Sequence, residues 1–319
     1  MPPAQPIAKR IMAQPWLWAY LGAFVVWLAT VNFTRGQGAG EVLTAALAFG
    51  TFSVIVGIGQ MYVITLGPGN VDLSIPATMT FAGAASMKIM DTQDSMILPG
   101  LVIALGLGAA VGVFNYGLIR LLRIPPIIAT LSASFLFQSA AIAYGRGIKI
   151  KPPPALAEFT TARIAGVPIL AICIIVFALV MSVVLQRTVY GRSVIAIGQN
   201  PRAARLAGVH VDFIRFATYV MCATLAGLCG YLLSGFSGGA ALNMGAEFLL
   251  ASIAVVVIGG TSVAGGYSNV PGLWGAALFM FLLVTMLNTY GLGAGVRLVL
   301  TGVIIIAVIT LAGGKSADR

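Results

Sequence analysis

The stretch TLGPGNVDLSIPATM, residues 65–79, places a carboxylate in an otherwise apolar part of the chain. Between Glu41 and Lys88 the only charged side chain is Asp72, and the motif Gly-Pro-Gly at 67–69 lies just before it. Glycine and proline end helices, because glycine adopts backbone angles that other residues avoid and proline lacks the N–H that a helix interior needs. We therefore predict that one helix ends here and that another begins at the acid.

The composition indicates a membrane protein. Of the 319 residues, 59% are hydrophobic and 8% are charged, whereas a soluble domain carries about 25% charged residues. Apolar runs long enough to cross a bilayer recur along the chain. A soluble protein with one large core is excluded, because the sequence has no polar helix faces to cover such a core. We predict an all-α polytopic helical bundle that forms a single transmembrane domain, residues 1–319.

Ten apolar segments are candidate transmembrane spans: 16–34, 42–66, 72–87, 96–119, 125–144, 166–186, 216–235, 247–260, 270–290 and 296–313. If residues 1–15 form a cytoplasmic tail, eleven of the 18 Lys and Arg lie on the cytoplasmic side and seven lie outside. Because positive charge favours the cytoplasmic side, this bias predicts that both termini are inside. The loop 187–215 is then cytoplasmic, and the loop 145–165 lies outside, where it is available to an extracytoplasmic partner.

Other function classes lack the residues that they need. The net charge of +10 does not indicate a nucleic-acid partner, because the basic residues are scattered through short loops without interleaved aromatics. The three cysteines have no metal-ligand spacing, and the single histidine, His210, cannot build a metal site alone. The segment ITLAGGKS at 309–316 ends like a phosphate-binding loop but lacks its first glycine and a preceding strand. We predict no catalytic residue, metal or cofactor, and no ATP-binding loop in this segment.

The third segment is too short to cross the membrane as a helix. From Asp72 to Met87 there are 16 residues, which span about 24 Å against roughly 30 Å of hydrocarbon. The first N–H groups of this helix would lie inside the membrane, where lipid offers no hydrogen-bond partner. Aspartate is a favoured N-cap residue, so we predict that Asp72 caps the helix. Two interpretations stay open: Asp72 is only a cap, or it also lines a permeation route.

A second broken span lies in the other half of the chain. Glu247 opens the short segment 247–260, and the stretch GGTSVAGG at 259–266 interrupts the apolar pattern. Short, glycine-interrupted spans at corresponding places in two halves mark the binding or permeation site of transporters. The two breaks therefore predict a site between the halves of this chain.

The loop 187–215 contains the most distinctive local pattern, GRSVIAIGQNPRAARLAGVHVDFIR at 191–215. Asn200 followed by Pro201 predicts a helix start, with a capping side chain and a proline in the first turn. Gly208 predicts the end of that helix. A short basic helix at the inner surface either contacts lipid headgroups or docks into a groove of a cytoplasmic partner, and its composition leaves both interpretations open.

Several of these stretches resemble the permease subunits of bacterial ABC importers, in the branch that serves monosaccharides such as ribose, xylose and arabinose. The matching stretches are GNVDLS at 69–74, GRSVIAIGQNPRAARLAGV at 191–209, SIAVVVIGGTSVAGG at 252–266 and, less specifically, IPPIIATL at 124–131. The chain departs from the family pattern next to Asp72: Asn70 stands where a second glycine is usual, and Ile75-Pro76 follow the motif. This departure leaves the identity of the sugar open.

The resemblance implies a subunit of the bacterial inner membrane that forms a translocation route and has no enzymatic activity of its own. The implied partners are an ATP-binding subunit, an extracytoplasmic substrate-binding protein and a second permease copy, identical or different, in the lipid bilayer. The predicted substrate pathway comprises Asn70, Asp72, Ser74, Gln60, Asn115, Gln138, Gly260, Thr261 and Ser262. The residues predicted to couple the chain to the ATPase are Gly191, Arg192, Asn200, Ala203, Ala204, Arg205 and Gly208.

Alternatives remain for the residues and for the function. Polar side chains inside spans also serve as helix-to-helix hydrogen bonds, which are worth roughly 1 kcal/mol in membranes. An ion-coupled secondary transporter would need a buried relay of acids and bases, and the only acid within a span is Asp72. An ABC permease for branched-chain amino acids or nucleosides is a further alternative. A membrane enzyme would need a cluster of titratable groups or metal ligands, and the sequence shows none.

Overall fold

The structure, a computed structural model, describes residues 15–146 and 151–313. The predicted cytoplasmic tail 1–15 lies outside the described residues except for its last position. Residues 147–150 of the predicted outer loop and residues 314–316 of the segment 309–316 also lie outside them. The helices of the described part are α1 Pro15–Phe33, α2 Ala39–Thr65, α3 Ile75–Met90, α4 Ile97–Leu121, α5 Pro126–Gly145, α6 Pro154–Thr161, α7 Ile169–Arg187, α8 Val189–Gln199, α9 Pro201–Leu206, α10 Val211–Phe236, α11 Phe248–Ile258, α12 Val270–Thr289 and α13 Ala294–Gly313. A 3₁₀ turn, Asp94–Met96, precedes α4. A two-residue antiparallel hairpin, β1 Arg163–Ile164 and β2 Val167–Pro168, precedes α7.

Seven of the described helices are long and apolar enough to cross a membrane, namely α1, α2, α4 with its preceding turn, α5, α7, α10 and α12. The predicted class, an all-α protein with several membrane-spanning helices, is confirmed. All ten predicted segments overlap a helix. Seven full spans are identified among the described residues, so the count of about ten stays a prediction.

Two of the remaining helices are short where short spans were predicted. Helix α3 has 16 residues and α11 has 11 residues, so their lengths are about 24 Å and 17 Å, less than the hydrocarbon thickness of about 30 Å. Each is bounded on one side by an irregular, glycine-containing segment: residues 66–74 before α3 and residues 259–269 after α11. We call these two segments the first break and the second break.

Helices α2, α10 and α12 form the centre of the bundle. Most of their side chains are buried, whereas α1, α4, α5 and α7 expose many apolar side chains on their outer faces. Lipid solvates apolar side chains, so the outer helices are available to a bilayer, whereas the inner helices pack against protein. A long-range hydrogen bond reinforces the centre, since the Tyr62 hydroxyl of α2 donates to the Met181 carbonyl of α7 at 2.7 Å.

Glycines let α4 and α10 approach closely. A Cβ atom built on Gly108 would lie 2.5 Å from the Ala223 carbonyl oxygen, and one built on Gly112 would lie 2.5 Å from Val220 Cα. Both obstacles are backbone atoms, which cannot rotate away. Small residues at such positions allow backbone-to-backbone packing in lipid, where no hydrophobic force drives helices together.

This packing makes a matched pair of substitutions informative. We expect Gly112→Ala to lower the free energy of unfolding by about 1–3 kcal/mol, because the methyl group forces α4 and α10 apart. Gly106→Ala lies on the exposed side of the same helix with no atom of the described residues near the new methyl group, so it should match or slightly exceed wild type. Melting temperatures of the purified proteins in detergent compare the two, and equal losses would contradict the close packing.

Candidate functional site

The first break carries a cluster of buried polar side chains, Gln60, Asn70, Asp72, Ser74 and Asn115, which we call the polar cluster. All five are predicted pathway residues, and all are at least nine-tenths buried. Gln60 lies on α2, Asn115 lies on α4 and the other three lie in the first break. The fold brings together residues that are up to 55 positions apart in the sequence. At its centre the Asp72 Oδ1 atom accepts hydrogen bonds from the Ser74 amide at 2.9 Å and from the Ser74 hydroxyl at 2.6 Å.

Local sequence explains how the backbone turns at this point. Gly67 and Gly69 have φ angles of 118° and 79°, a region that favours glycine, so the chain reverses after α2 without strain. The predicted N-cap is wrong by two positions: α3 begins at Ile75 with Ser74 as the N-cap residue. Asp72 instead accepts the N–H two residues ahead, a bond that short acidic side chains make in turns. Pro76 lies in the first helical turn, where its missing N–H costs no helical hydrogen bond.

Neighbouring helices hold the first break through polar bonds. The Gln60 side-chain oxygen of α2 accepts the Asp72 amide at 3.2 Å, and Asn115 of α4 donates to the Ser74 hydroxyl at 2.7 Å. From α5, the Thr130 hydroxyl accepts the Leu73 amide at 3.0 Å. From α10, the Tyr219 hydroxyl donates to Asn70 at 3.2 Å. These bonds supply the partners that lipid cannot offer to an irregular backbone.

Thr130 and Tyr219 were not predicted as site residues. Thr130 lies within IPPIIATL, a stretch that the family resemblance includes, so a signal for it was present. No local pattern marks Tyr219, whose contact spans 149 positions of sequence. A tyrosine in an apolar helix is typical of core packing, and only the fold places the Tyr219 hydroxyl against Asn70.

The polar cluster retains unused hydrogen-bonding capacity. Among the described residues, one donor, Gln60 Nε2, and two acceptors, Asp72 Oδ2 and Asn115 Oδ1, are buried without a partner. The salt bridge recorded in the described part of the chain joins Arg120 and Asp212, so the Asp72 carboxylate has no cation beside it. Unpaired buried polar groups are costly, and they concentrate where a protein binds or moves.

The second break packs directly on the first. The Gly266 amide donates to the Thr65 carbonyl at 3.0 Å, and a Cβ atom on Gly265 would overlap the backbone of Gly67. Within the second break, Ser262 N–H donates to the Tyr267 carbonyl at 3.0 Å. The predicted pathway residues Gly260, Thr261 and Ser262 therefore lie in an irregular segment that touches the end of α2. They do not join the polar cluster through any hydrogen bond of the described residues.

The loop 187–215, predicted to be cytoplasmic, contains two short helices, α8 and α9. The Asn200 side-chain oxygen accepts the amides of Arg202 and Ala203, each at 3.0 Å, so the predicted cap of α9 is confirmed. Gly208, with φ of 86°, follows the helix as predicted. Ala204, one of the predicted coupling residues, is the buried residue of α9, so its side chain is not on the exposed face. The exposed face carries Arg192 of α8 and, on α9, Arg202, Ala203, Arg205 and Leu206.

The end of α8 contacts both breaks at once. A Cβ atom on Gly198 would overlap the Thr65 carbonyl at the end of α2 and the Gly266 amide of the second break, so there is no room for a side chain. A Cβ atom on Gly67, in the first break, would lie 3.8 Å from Gly198 Cα. The adjacent Gln199 side chain donates to the Gly266 carbonyl at 3.4 Å. Gly191 likewise permits the tight turn from α7 into α8, because its position faces the carbonyls of Val184 and Leu185. The segment predicted for coupling is thus in direct contact with the segments predicted for the pathway.

Gln138 lies apart from the polar cluster. Its amide donates to the Leu242 carbonyl at 2.7 Å, at an exposed position where α5 meets the chain after α10. This contact fits the alternative interpretation of a structural hydrogen bond, and it corrects the grouping of Gln138 with the other pathway residues. Spacing along α5 could not distinguish these roles, because the partner is a distant backbone carbonyl.

Comparisons with known proteins agree with this arrangement. A family model described as the permease component of branched-chain amino acid transport systems matches residues 42–309. The autoinducer 2 import system permease protein LsrD of Escherichia coli K12 is 29% identical over 249 residues, covering 76% of this chain and 75% of the relative. The protein of that name from Salmonella paratyphi B is 30% identical over 250 residues, covering 76% and 74%. No solved structure gave a significant match.

Substitutions of Asp72 test the polar cluster. We expect Asp72→Asn to fold normally, because an amide oxygen accepts the same bonds from Ser74 and no described cation loses a partner. Asp72→Leu removes the acceptor and leaves the Ser74 amide buried and unpaired, at a cost of about 1–3 kcal/mol.

Melting temperature and folded yield in detergent measure both effects. Ser74→Ala is the control, since it removes the hydroxyl but keeps the backbone N–H that Asp72 accepts, and it should cost less than Asp72→Leu. A Leu variant as stable as the wild type would show that the Asp72–Ser74 bonds do not hold the break.

Proposed function

Since the chain belongs to the family of permease components of branched-chain-amino-acid-type transport systems, and is a membrane permease of that kind, we propose how it works and what it carries. It forms the translocation pathway of an ABC importer as a single transmembrane domain, and ATP hydrolysis in a separate subunit drives it. The solute is small and polar, and we propose a monosaccharide. The motifs at 69–74 and 191–209 support this branch, and the similar permeases from enteric bacteria import autoinducer 2.

One observation carries this proposal: the end of α8 touches both breaks. Gly198 lies against Gly67 in the first break, against Thr65 at the end of α2 and against Gly266 in the second break. A displacement of α8 and α9 is therefore transmitted directly to the two breaks, because no flexible segment lies between them. In a membrane, irregular backbone is tolerated only where protein or a water-filled cavity covers it, so the breaks are suitable gates.

The exposed face of α9 is the proposed contact with the ATP-binding subunit. Leu206 is 90% exposed, and Arg202, Ala203 and Arg205 are exposed around it. A large apolar side chain at the tip of a short, capped helix is suited to a groove on a partner protein. We retain Ala203 and Arg205 as contact residues, while Asn200, Gly191, Gly208 and Ala204 act by shaping the segment.

The opposite end of the bundle is the proposed contact with an extracytoplasmic substrate-binding protein. Helix α6 packs at the C-terminal end of α10, where Leu156 and Thr160 lie beside Gly235. The coupling segment packs near the other end, where Tyr190 bonds Thr218 at 2.8 Å. The 17 positions from Thr218 to Gly235 correspond to about 25 Å of helix, close to the thickness of the hydrocarbon layer. We place the termini and α9 in the cytoplasm of a bacterium and α6 outside its inner membrane.

The polar cluster favours a sugar over the alternatives. A branched-chain amino acid brings an ammonium and a carboxylate, which call for charged partners, whereas the predicted pathway contains amides, hydroxyls and a single acid. An ion-coupled secondary transporter would need a buried relay of acids and bases. Among the described residues, Asp72 is hydrogen-bonded by Ser74 and Asn115 and contacts the thiol of Cys222, and none of these partners is a basic side chain. A second permease copy, identical or different, completes the pathway.

Cysteine labelling tests the orientation. Single cysteines at Lys151 and Glu158, in a background without the native cysteines, should react with an impermeant thiol reagent added outside the cell. A single cysteine at Arg205 is the control and should react only after the membrane is opened. The reverse pattern would invert the proposed topology and exchange the two partner surfaces.

Two substitutions separate docking from transmission. Ala203→Trp adds bulk to the exposed face of α9, so it should lower copurification of the ATP-binding subunit. Gly198→Ala should leave copurification unchanged but reduce ATP-driven uptake more than about tenfold, equivalent to about 1.4 kcal/mol, because its methyl group separates α8 from both breaks.

Uptake and ATP hydrolysis in reconstituted vesicles are measured together, and Gly106→Ala on α4 is the matched glycine control. Full uptake by Gly198→Ala would remove the contact between α8 and the breaks from the mechanism. Uptake that persists without ATP and stops when ion gradients are collapsed would favour the secondary transporter.

A further inference from the structure

A cavity of about 430 Å³ lies beside the first break, where α4 ends and α10 begins. Its inner part is formed by Asn70 and Tyr219, and its outer part by Arg120, Arg123, Asp212 and Arg215. A volume of this size is within the range of small-molecule sites, which start at about 300 Å³. The polar cluster does not account for it, because Asn70 is the only residue that the two share.

The cavity is strongly basic. Three arginines and one aspartate line it, and the Arg120 guanidinium pairs with Asp212 at 3.2 Å. Arg123 and Arg215 form no salt bridge within the described residues, and the Nε atom of Arg215 is buried without a hydrogen-bond partner. Arginine binds phosphate oxygens through several N–H groups at once. The arrangement therefore fits a phosphate-bearing anion.

Exposed apolar side chains lie next to the cavity. Leu121 and Leu122, between the two arginines of α4 and its following turn, are 81% and 63% exposed. Ile127 and Ile128 at the start of α5 are also exposed. A ligand at this place meets a basic pocket and an apolar surface within a few residues of each other. Basic pockets between transmembrane helices bind anionic lipid headgroups in this way.

We propose that this cavity binds the phosphate headgroup of an anionic phospholipid, with its acyl chains along α4 and α5. Arg215 and Arg123 contact the phosphate. Arg120 binds it only when its salt bridge with Asp212 opens. The inner end of the cavity is the Tyr219–Asn70 hydrogen bond that holds the first break. A bound headgroup therefore packs against the support of the break. The proposal does not depend on which solute the protein carries, or on transport at all.

Lipid titration of the purified, delipidated protein in a neutral detergent tests the proposal. The probes are phosphatidylglycerol and phosphatidylcholine with the same acyl chains, and the readouts are melting temperature and lipid adducts in native mass spectrometry. We expect phosphatidylglycerol to bind about tenfold more tightly. Arg215→Gln should weaken that binding about fivefold or more, since one arginine near an anionic headgroup contributes about 1 kcal/mol.

Two further variants keep the result interpretable. Arg187→Gln removes an exposed arginine at the end of α7, outside the cavity, and should leave phosphatidylglycerol binding unchanged. Asp212→Asn removes the competing acid and should strengthen the binding, so the prediction survives even if Arg215→Gln folds poorly. Equal affinity for the two lipids, or equal losses in Arg187→Gln and Arg215→Gln, would overturn the site.

Soluble anions distinguish the source of the phosphate. Inorganic phosphate and glycerol 3-phosphate are titrated at millimolar concentration against the same protein. If the natural ligand is a lipid, these soluble anions should raise the melting temperature of wild type no more than they raise that of Arg215→Gln. If either one stabilises wild type selectively and as strongly as phosphatidylglycerol does, the lipid assignment is wrong and the cavity binds a soluble phosphate.

Discussion

The hydrogen-bonding requirement of backbone in an apolar environment is the constraint on which this structure depends. Helices α3 and α11 are too short to span a membrane, so the chain is irregular at both breaks. Each unpaired N–H or C=O group in hydrocarbon costs several kcal/mol. The side chains of Asp72, Gln60 and Thr130 accept the N–H groups of the first break, and the second break bonds to the end of α2. The irregular backbone therefore explains why these polar side chains lie inside an apolar protein.

The same requirement explains why three distant segments meet. Thr65, at the end of α2, has a carbonyl that no further helical turn uses, and the Gly266 amide supplies its partner. Two irregular backbones can share hydrogen bonds only at close range, which explains the glycines at 67, 265 and 266. Gly198 brings α8 to the same point. This contact joins α8, which belongs to the segment proposed for coupling, to the breaks through backbone atoms.

Sequence patterns succeeded where the signal is local. All ten apolar segments overlap helices, and the Asn200 cap lies where the Asn-Pro pair predicts it. They failed where the answer depends on a partner elsewhere in the chain. Asp72 was predicted as an N-cap because its type fits that role, yet Ser74 takes the position and Asp72 accepts from it. Ala204 and Gln138 were grouped with other predicted residues by type and segment, although Ala204 is buried and Gln138 donates to a distant carbonyl.

The sequence by itself determined the membrane class, the approximate limits of the helices and the two places where the helical pattern fails. These properties depend on composition and on neighbours within a few positions, because hydrophobicity, glycine and proline act locally. Only the tertiary structure decided that the two breaks pack on each other, that Tyr219 bonds Asn70, and that Arg120, Arg123 and Arg215 surround one cavity. Such contacts join residues up to about 200 positions apart, and no local pattern encodes which partners the packing of α2, α4 and α10 brings together.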